Sequence, residues 1–264
     1  LLIHGICPDT GDRLIHRTLA PEEPIPSGAL WIDLLNPTLA EDKKIESHLG
    51  ISIPTREEMH DLEPSEIIYT ENGAHYMTAR VICQSETQVP KLADVTFILT
   101  ETALITVRYD EPAAVMEGLI EAIVDRAAEV LRGVGDRVDL RSRSIFEGKG
   151  SQVEQGGAYQ AVLRKIGQYE HIISNVRESM VSVERVLLFL SANFKRAKKS
   201  SSAIVPEWRS AIRDVQAIEE HATFLSSKLQ FMLDATLGLV GLEQNKIIKL
   251  FSVVSVVLMP PTLI

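Results

Sequence analysis

The sequence has 264 residues, with 27 lysines and arginines against 36 aspartates and glutamates, so its formal net charge is −9. A chain of this length can bury a sizeable core, and a hydrophobic content of 45% excludes intrinsic disorder. Its two cysteines, Cys7 and Cys83, are too few for a disulfide framework and do not form a C-x-x-C motif, which indicates a reducing compartment. The net acidity argues against nucleic acid as a partner.

The charge is divided unevenly along the chain. Residues 1–125 contain 8 basic and 22 acidic residues, a balance of −14, whereas residues 126–264 contain 19 and 14, a balance of +5. An acidic first half and a basic second half indicate two regions that lie in different surroundings.

Short strands and helices alternate over residues 1–111, which predicts an acidic α/β domain. Strands are expected at residues 1–7, 13–19, 29–35, 67–70, 74–83, 95–100 and 103–108. Helices are expected at 39–49 and 55–62, because each begins with a T-x-x-E capping box. Glu71-Asn72-Gly73 and Glu101-Thr102 each predict a tight hairpin turn.

Helical periodicity replaces the strand pattern from about residue 112. Two long antiparallel helices are predicted within 112–202, with a turn near 147–157 and a basic connector at 195–202. A stalk helix follows over 203–246. Its apolar residues form two series with a seven-residue spacing, Trp208, Val215, Ala222, Leu229 and Thr236, and Ala211, Ile218, Leu225, Met232 and Leu239. This heptad pattern predicts a coiled-coil or bundle helix.

The stalk pattern continues without a stop into residues 250–264, which carry no charge. A membrane-spanning helix needs about 20 apolar residues, so residues 247–264 are predicted to be the start of one. A soluble core helix would have a polar face, and only Ser252 and Ser255 offer one here. Lys246 and Lys249 precede the uncharged residues 250–264, which favours a cytoplasmic location for the N-terminal side and a lipid bilayer as a partner.

Motifs for catalysis are weak in this sequence. His60-Asp61 is a dipeptide that occurs at metal sites, but no second cluster at a useful spacing supports it. Gly133-Val134-Gly135 lacks both the following glycine and the preceding strand of a phosphate-binding loop. No serine or cysteine stands in a recognisable nucleophile context. We therefore do not expect an enzyme.

A set of polar residues recurs at helical spacing on the long helix. Asp234, Asn245, Ser252 and Met259 share one face, and the last three are seven residues apart. In an oligomer with this face inward, each position would form a ring of side chains. Rings of carboxylate, amide and hydroxyl oxygens suit a hydrated hard cation such as Mg²⁺. The alternative is an ordinary coiled coil in which Asn245 sets the register.

The sequence of residues 241–264, G-L-E-Q-N-K-I-I-K-L-F-S-V-V-S-V-V-L-M-P-P-T-L-I, closely resembles the first membrane helix of the CorA magnesium transporters, especially the proteobacterial type. The W-I-D-L-L-N-P strand at residues 31–37 is also typical of that family. The order of regions matches along the whole chain. The resemblance implies an α+β fold, in which an N-terminal α/β sandwich domain is followed by long antiparallel helices and a very long stalk helix that enters the membrane.

The resemblance also implies a function and the residues that carry it. The expected protein is a homopentameric channel of the inner membrane for Mg²⁺, and also Co²⁺ or Ni²⁺. Asp234 would form an acidic ring at the cytoplasmic mouth, and Asn245 a polar ring near the membrane boundary. Hydrophobic constrictions would form at Ile248, Phe251 and Met259. The full expected pore-lining set is Asp234, Asn245, Ile248, Phe251, Ser252, Met259 and Thr262.

Two departures from the family pattern affect these expectations. The Gly-Met-Asn signature and the second membrane helix are not among these 264 residues, so we expect the sequence to be a part of a longer protein. Some members hold a regulatory Mg²⁺ on an aspartate of the neighbouring long helix, where this sequence has Ser210, with Asp214 one turn on. The partner acid of the α/β domain would fall near residues 83–86, where Glu86 is the only acid. The candidate regulatory ligands are Glu86, Asp214 and Asp234.

The expected function is divalent cation transport by a homo-oligomeric channel that cytosolic Mg²⁺ gates, with Mg²⁺ as both cargo and regulator. Two alternatives stay open at this point. One is a zinc transporter of the same superfamily. The other is a membrane-tethered structural protein that oligomerises through its heptads without conducting ions.

Overall fold

The computed structural model describes residues 2–6, 14–20, 22–26, 28–60, 67–83, 90–109, 119–146, 157–196 and 204–258. These residues form two compact units. The first combines residues up to Val130 with Asn175–Glu219, and the second combines Leu131–Ser174 with the residues from Glu220 onward.

A seven-stranded mixed sheet forms the core of the first unit, in the order β2-β1-β3-β7-β6-β5-β4. The strands are β1 Leu2–Ile6, β2 Leu14–Thr18, β3 Ala29–Leu35, β4 Ile68–Glu71, β5 Ala74–Cys83, β6 Lys91–Leu99 and β7 Leu104–Arg108. Among the described strands, only β3 and β7 pair in parallel, and the other neighbours are antiparallel. The predicted alternation of strands and helices is confirmed.

Local sequence signals position the turns and short helices. Asn72 and Gly73 both have positive φ, +48° and +79°, which is the backbone of the two-residue turn that the β4–β5 hairpin needs. Helix α1, Leu39–Leu49, begins with the predicted capping box, in which Glu41 Oε2 accepts from the Thr38 amide at 2.8 Å. Helix α2, Arg56–His60, begins with the same arrangement between Thr55 and Glu58.

Both faces of the sheet are covered by helices. On one face, Ile32, Tyr76, Ile98 and Ile105 pack in a buried cluster with Ile45 of α1. On the other face, helix α4, Gly157–Arg196, places the ring of Phe189 edge-on to His75. This double coverage explains why β5 is buried along most of its length rather than on alternate residues.

Beyond the end of β4, helix α4 takes the place of a strand partner for β5. Strand β4 pairs with β5 only as far as Met77, so the amide of Arg80 lies beyond the end of the ladder. That amide donates to Ser182 Oγ at 2.7 Å, and the Arg80 guanidinium bridges Glu178 at 2.7 Å and Asp94 at 3.1 Å. A side chain of α4 thus satisfies a sheet donor that would otherwise lack a strand partner.

A buried ion pair joins the two parallel strands. The guanidinium of Arg108 on β7 donates two hydrogen bonds to the carboxylate of Asp33 on β3, at 3.0 and 2.5 Å. Thr106 Oγ1 donates to the same carboxylate at 2.6 Å, and Trp31 Nε1 donates to Thr106 at 3.0 Å. Asp33 is only 3% exposed, so these bonds replace the water that its charge has lost.

Three long helices follow the sheet along the chain. They are α3 Leu119–Phe146, α4 Gly157–Arg196 and α5 Ile204–Leu258, the last of 55 residues. Within the second unit, α3 runs parallel to α5, since the ideal Cβ position of Gly135 lies 3.7 Å from Leu225 and Asp139 pairs with Lys228. Glu170 of α4 accepts from Ser226 at 2.8 Å. The prediction of long helices is confirmed, and most of the predicted turn and connector lies outside the described residues.

One strand differs from the sequence prediction. Strand β6 begins at Lys91 rather than at residue 95, because Lys91–Asp94 pair with Cys83–Arg80 of the long strand β5. The polar residues Lys91 and Asp94 weaken the pattern of alternating apolar residues at the start of β6. The strand extends to Lys91 because β5 provides a pairing partner there.

We expect Asp33→Ala to lower the free energy of unfolding by about 3–5 kcal/mol, because it removes the carboxylate to which the largely buried Arg108 guanidinium donates two hydrogen bonds. The double variant Asp33→Ala with Arg108→Met should lose less than the sum of the two single changes. Urea-induced unfolding followed by circular dichroism measures both effects. Lys43→Gln, at an exposed position of α1, is the control, and additive losses would contradict the pairing.

Burial on α5 predicts a pH effect on stability. Burial raises the pKa of Glu219 and the nearby Glu184 carboxylate adds to the increase, while Arg177 opposes it. A carboxyl whose folded pKa is raised stabilises the fold when protonated, and this contribution is lost as the pH rises through the raised pKa. Glu219→Gln should therefore raise the thermal midpoint at about pH 8 and have little effect at about pH 4. The exposed neighbour variant Glu220→Gln should show no such difference, and an equal gain from both would contradict the assignment.

Candidate cation-conducting surface

Helix α5 has two opposite surfaces, each with a seven-residue repeat. The predicted heptad seam is one of them, and it is buried inside the chain at its central positions, Val215, Ile218, Ala222, Leu225, Leu229, Met232 and Thr236. The seam therefore packs against other helices of the same chain, as in a helical bundle. The Thr236 hydroxyl donates to the Met232 carbonyl at 2.7 Å, which satisfies its donor inside the seam.

The other surface, which we call the polar face, includes the predicted site residues Asp234, Asn245, Ile248 and Ser252. Its two series are offset by three residues and consist of Phe224, Phe231, Gly238, Asn245 and Ser252, and of Ser227, Asp234, Gly241, Ile248 and Ser255. All of these residues are exposed except Gly241, which is partly exposed. A single chain thus leaves a complete heptad face in contact with solvent over about eight turns of helix.

Local hydrogen bonds fix the chemistry that the polar face presents. Asp234 Oδ1 accepts from Gln230 Nε2 at 3.2 Å, one turn earlier, which orients the carboxylate along the helix surface. Ser252 Oγ donates to the Ile248 carbonyl at 2.8 Å, and Ser255 Oγ donates to the Phe251 carbonyl at 2.8 Å. Because each hydroxyl hydrogen is used by its own helix, its oxygen lone pairs remain as acceptors. The polar face therefore offers oxygen ligands, which suit a hydrated cation.

Large apolar side chains accompany these oxygens toward the end of α5. Ile248 and Phe251 are 61% and 67% exposed, and Ile247, Leu250, Val253 and Val256 on the remaining sides are exposed as well. Among the residues that the structure describes, no helix contains a stretch long and apolar enough to cross a membrane. The predicted membrane segment is described only as far as Leu258, and the site residues Met259 and Thr262 lie outside the described residues.

The candidate regulatory residues do not form a site within the described part of one chain. Asp214 and Asp234 are both exposed on α5, and Glu86 lies outside the described residues. Among the residues described, no three histidine, cysteine, aspartate or glutamate side chains come together as a cation site. His60, the other metal candidate, has its Nδ1 3.1 Å from Asp94 Oδ2, while Asp61 lies outside the described residues.

Two aromatic residues of the polar face, Phe224 and Phe231, are not among the predicted site residues. Phe224 and Phe231 precede Asn245 by 21 and 14 residues, so both belong to its seven-residue series. The spacing alone could have identified them. Because both side chains are apolar, a pattern based on polar residues does not include them.

Comparisons with known proteins agree with this architecture. The family model for the CorA-like Mg2+ transporter protein matches residues 110–264, which is more than half of the chain. The magnesium transport protein CorA of Escherichia coli strain K12 is 28% identical over 268 residues, with 96% of this chain and 83% of that protein covered. The protein of the same name from Pasteurella multocida strain Pm70 is 28% identical over 253 residues, covering 90% and 79%.

Solved structures show the same fold at low identity. The complete CorA magnesium transporter of Methanocaldococcus jannaschii has a TM-score of 0.68 at 15% identity and covers 97% of this chain and 82% of that chain. The ZntB cytoplasmic domain of Vibrio parahaemolyticus RIMD 2210633 has a TM-score of 0.53 at 12% identity, covering 90% and 96%. These likenesses confirm the predicted α+β fold with its sheet domain and long helices. Together with the match of the family model over the three long helices, they show that this chain belongs to the CorA-like Mg²⁺ transporter family.

Proposed function

We propose that the protein is a subunit of a homo-oligomeric channel for divalent cations, with Mg²⁺ as the main cargo and Co²⁺ or Ni²⁺ also accepted. The assembly is a homopentamer of the inner membrane, and its N-terminal region faces the cytoplasm. The named relatives at 28% identity are magnesium transport proteins, which supports Mg²⁺ over other ions.

The observation that carries this proposal is the polar face of α5. The buried seam already uses the opposite side of the helix to pack within the chain, so the polar face is available to other copies. Its repeat of seven residues matches the repeat that identical helices need to surround a common axis. Copies arranged in this way convert each position of the face into a ring.

Each ring has a distinct chemical effect on a hydrated cation. The Asp234 ring concentrates divalent cations by charge, and the amide oxygens of the Asn245 ring contact the water shell that Mg²⁺ releases reluctantly. Ile248 and Phe251 narrow the path with apolar side chains, which block ions by dewetting when the rings close. Met259 and Thr262 are proposed to continue the same lining.

The acidic first half of the chain provides the regulation in this proposal. Its balance of −14 produces repulsion between neighbouring subunits that Mg²⁺ ions can relieve. When cytosolic Mg²⁺ is high, ions bound between subunits by acids such as Glu86 and Asp214 hold the assembly closed. When Mg²⁺ falls, the repulsion loosens the ring and allows the apolar constriction to hydrate.

Asn245→Leu should reduce Mg²⁺ uptake by the intact gene product to about a tenth or less, the effect of a barrier raised by about 1.4 kcal/mol. The matched control is Gln244→Leu, which makes a similar amide-to-leucine change at the neighbouring exposed position. Uptake is measured with a Mg²⁺-sensitive dye in proteoliposomes. Equal effects of both variants would contradict a conducting role for position 245.

The same assay separates the alternatives. Zn²⁺ in competition distinguishes a zinc transporter, because preferential Zn²⁺ entry would replace Mg²⁺ as the cargo. The ZntB likeness shows the shared fold only, so it does not favour zinc. Absence of any cation flux from a correctly assembled oligomer would favour the non-conducting structural protein.

Millimolar Mg²⁺ should protect the intact gene product from protease, because bridging ions would hold the acidic halves together. The double variant Glu86→Gln with Asp214→Asn should lose that protection, whereas Glu101→Gln, which removes an exposed acid elsewhere in the acidic half, should keep it. Cleavage rates measured with and without Mg²⁺ report the effect. Rates that do not respond to Mg²⁺ in the unmodified protein would contradict regulation by this ion.

A further inference from the structure

The polar face of α5 extends beyond Asp234 toward the N-terminal end of the helix as two phenylalanines. Phe224 and Phe231 are 59% and 61% exposed and are seven residues apart. Phe231 precedes Asp234 by three residues, so both side chains lie on one surface of the helix within one turn. The aromatic pair is therefore in register with the rings proposed for the rest of the face.

The exposure and spacing of Phe224 and Phe231 indicate which partner packs against them. Two large rings at the same heptad position, both solvent-exposed in a single chain, are typical of an interaction surface. The next position of this series is Gly238, and the position after Asp234 in the neighbouring series is Gly241. At both glycines an added Cβ would meet nothing within 4 Å, so another helix can approach closely. A strict seven-residue repeat fits a second helix with the same repeat. The partner that satisfies this requirement is α5 of a second copy of this chain.

We propose that Phe231 side chains from neighbouring copies form a hydrophobic collar immediately N-terminal to the Asp234 ring, and that Phe224 extends the collar by two turns. This proposal rests on the proposed function, because it requires α5 helices around a common axis. The collar lies outside the apolar segment that begins near residue 247, so it is separate from the constrictions at Ile248 and Phe251. Its ligand is a hydrated divalent cation that approaches Asp234.

The collar would act as a seal for the acidic ring. A ring of phenyl groups that excludes water opposes the passage of an ion that keeps its hydration shell. The Asp234 carboxylates, which lie one turn of the helix beyond Phe231, attract the ion toward the collar. Separation of the helices would hydrate the collar and admit the ion to the carboxylates.

Cysteine cross-linking tests the position of the collar. Cys7 and Cys83 are first changed to alanine in the intact gene product, and Phe231→Cys is then oxidised in native membranes. We expect cross-linked dimers several-fold above Leu140→Cys, a control at an exposed apolar position of α3. Cross-linking by Asp234→Cys but not by Phe231→Cys would overturn the collar and leave the proposed function intact. Failure of both would overturn both, and equal cross-linking by Leu140→Cys would also overturn the collar.

Cation leak tests the sealing role. At high Mg²⁺, Phe231→Ser should raise the basal entry of cations into proteoliposomes about tenfold, equivalent to a barrier lowered by about 1.4 kcal/mol. Phe231→Leu keeps the apolar bulk and should stay at the unmodified level. Asp234→Cys cross-linking in the Phe231→Ser background verifies that the variant still assembles. An assembled Phe231→Ser protein with unchanged leak would overturn the seal.

Discussion

Helix α5 carries two heptad surfaces, and both must be covered for the protein to assemble as proposed. Helix α5 buries Val215, Ala222, Leu229 and Met232 within its own chain, which stabilises the helix as a single copy. Burial of that seam leaves the opposite surface exposed. A helix that is already packed on one side can offer its other side to an assembly without losing its own stability.

Side-chain bonds connect the sheet to the long helices within the first unit. The Asp33–Arg108 pair ties together the only parallel strands of the described sheet, and the Arg80–Ser182 bond attaches α4 to the edge of β5. Glu184 Oε1 of α4 accepts from Gln216 Nε2 of α5 at 2.8 Å, so hydrogen bonds connect the sheet to α4 and α4 to α5. The same unit carries most of the negative charge of the chain, which is where regulation by a divalent cation is proposed.

Local chemistry in the sequence predicted much of this fold. Asn72-Gly73 favours a turn with positive φ at both residues, and the Thr38–Glu41 capping box satisfies the first amides of α1. Both features depend on neighbouring residues alone, so the sequence was enough to predict them. The Asp33–Arg108 pair and the early start of β6 were not predictable, because each depends on residues that meet only in the folded sheet. Periodicity also identified the two surfaces of α5. It could not say that the seam packs within one chain, since a coiled coil between chains has the same pattern.

A cysteine scan of residues 241–256, with Mg²⁺ flux as the readout, tests whether the polar face of α5 lines a pore. Each variant, in a background without Cys7 and Cys83, is treated with a cationic thiol reagent while Mg²⁺ flux is recorded. We expect modification to block flux at Asn245, Ile248 and Ser252, and not at the intervening Ile247 and Leu250. A block that shows no helical period, or one centred on Ile247 and Leu250, would contradict a pore lined by the polar face of α5.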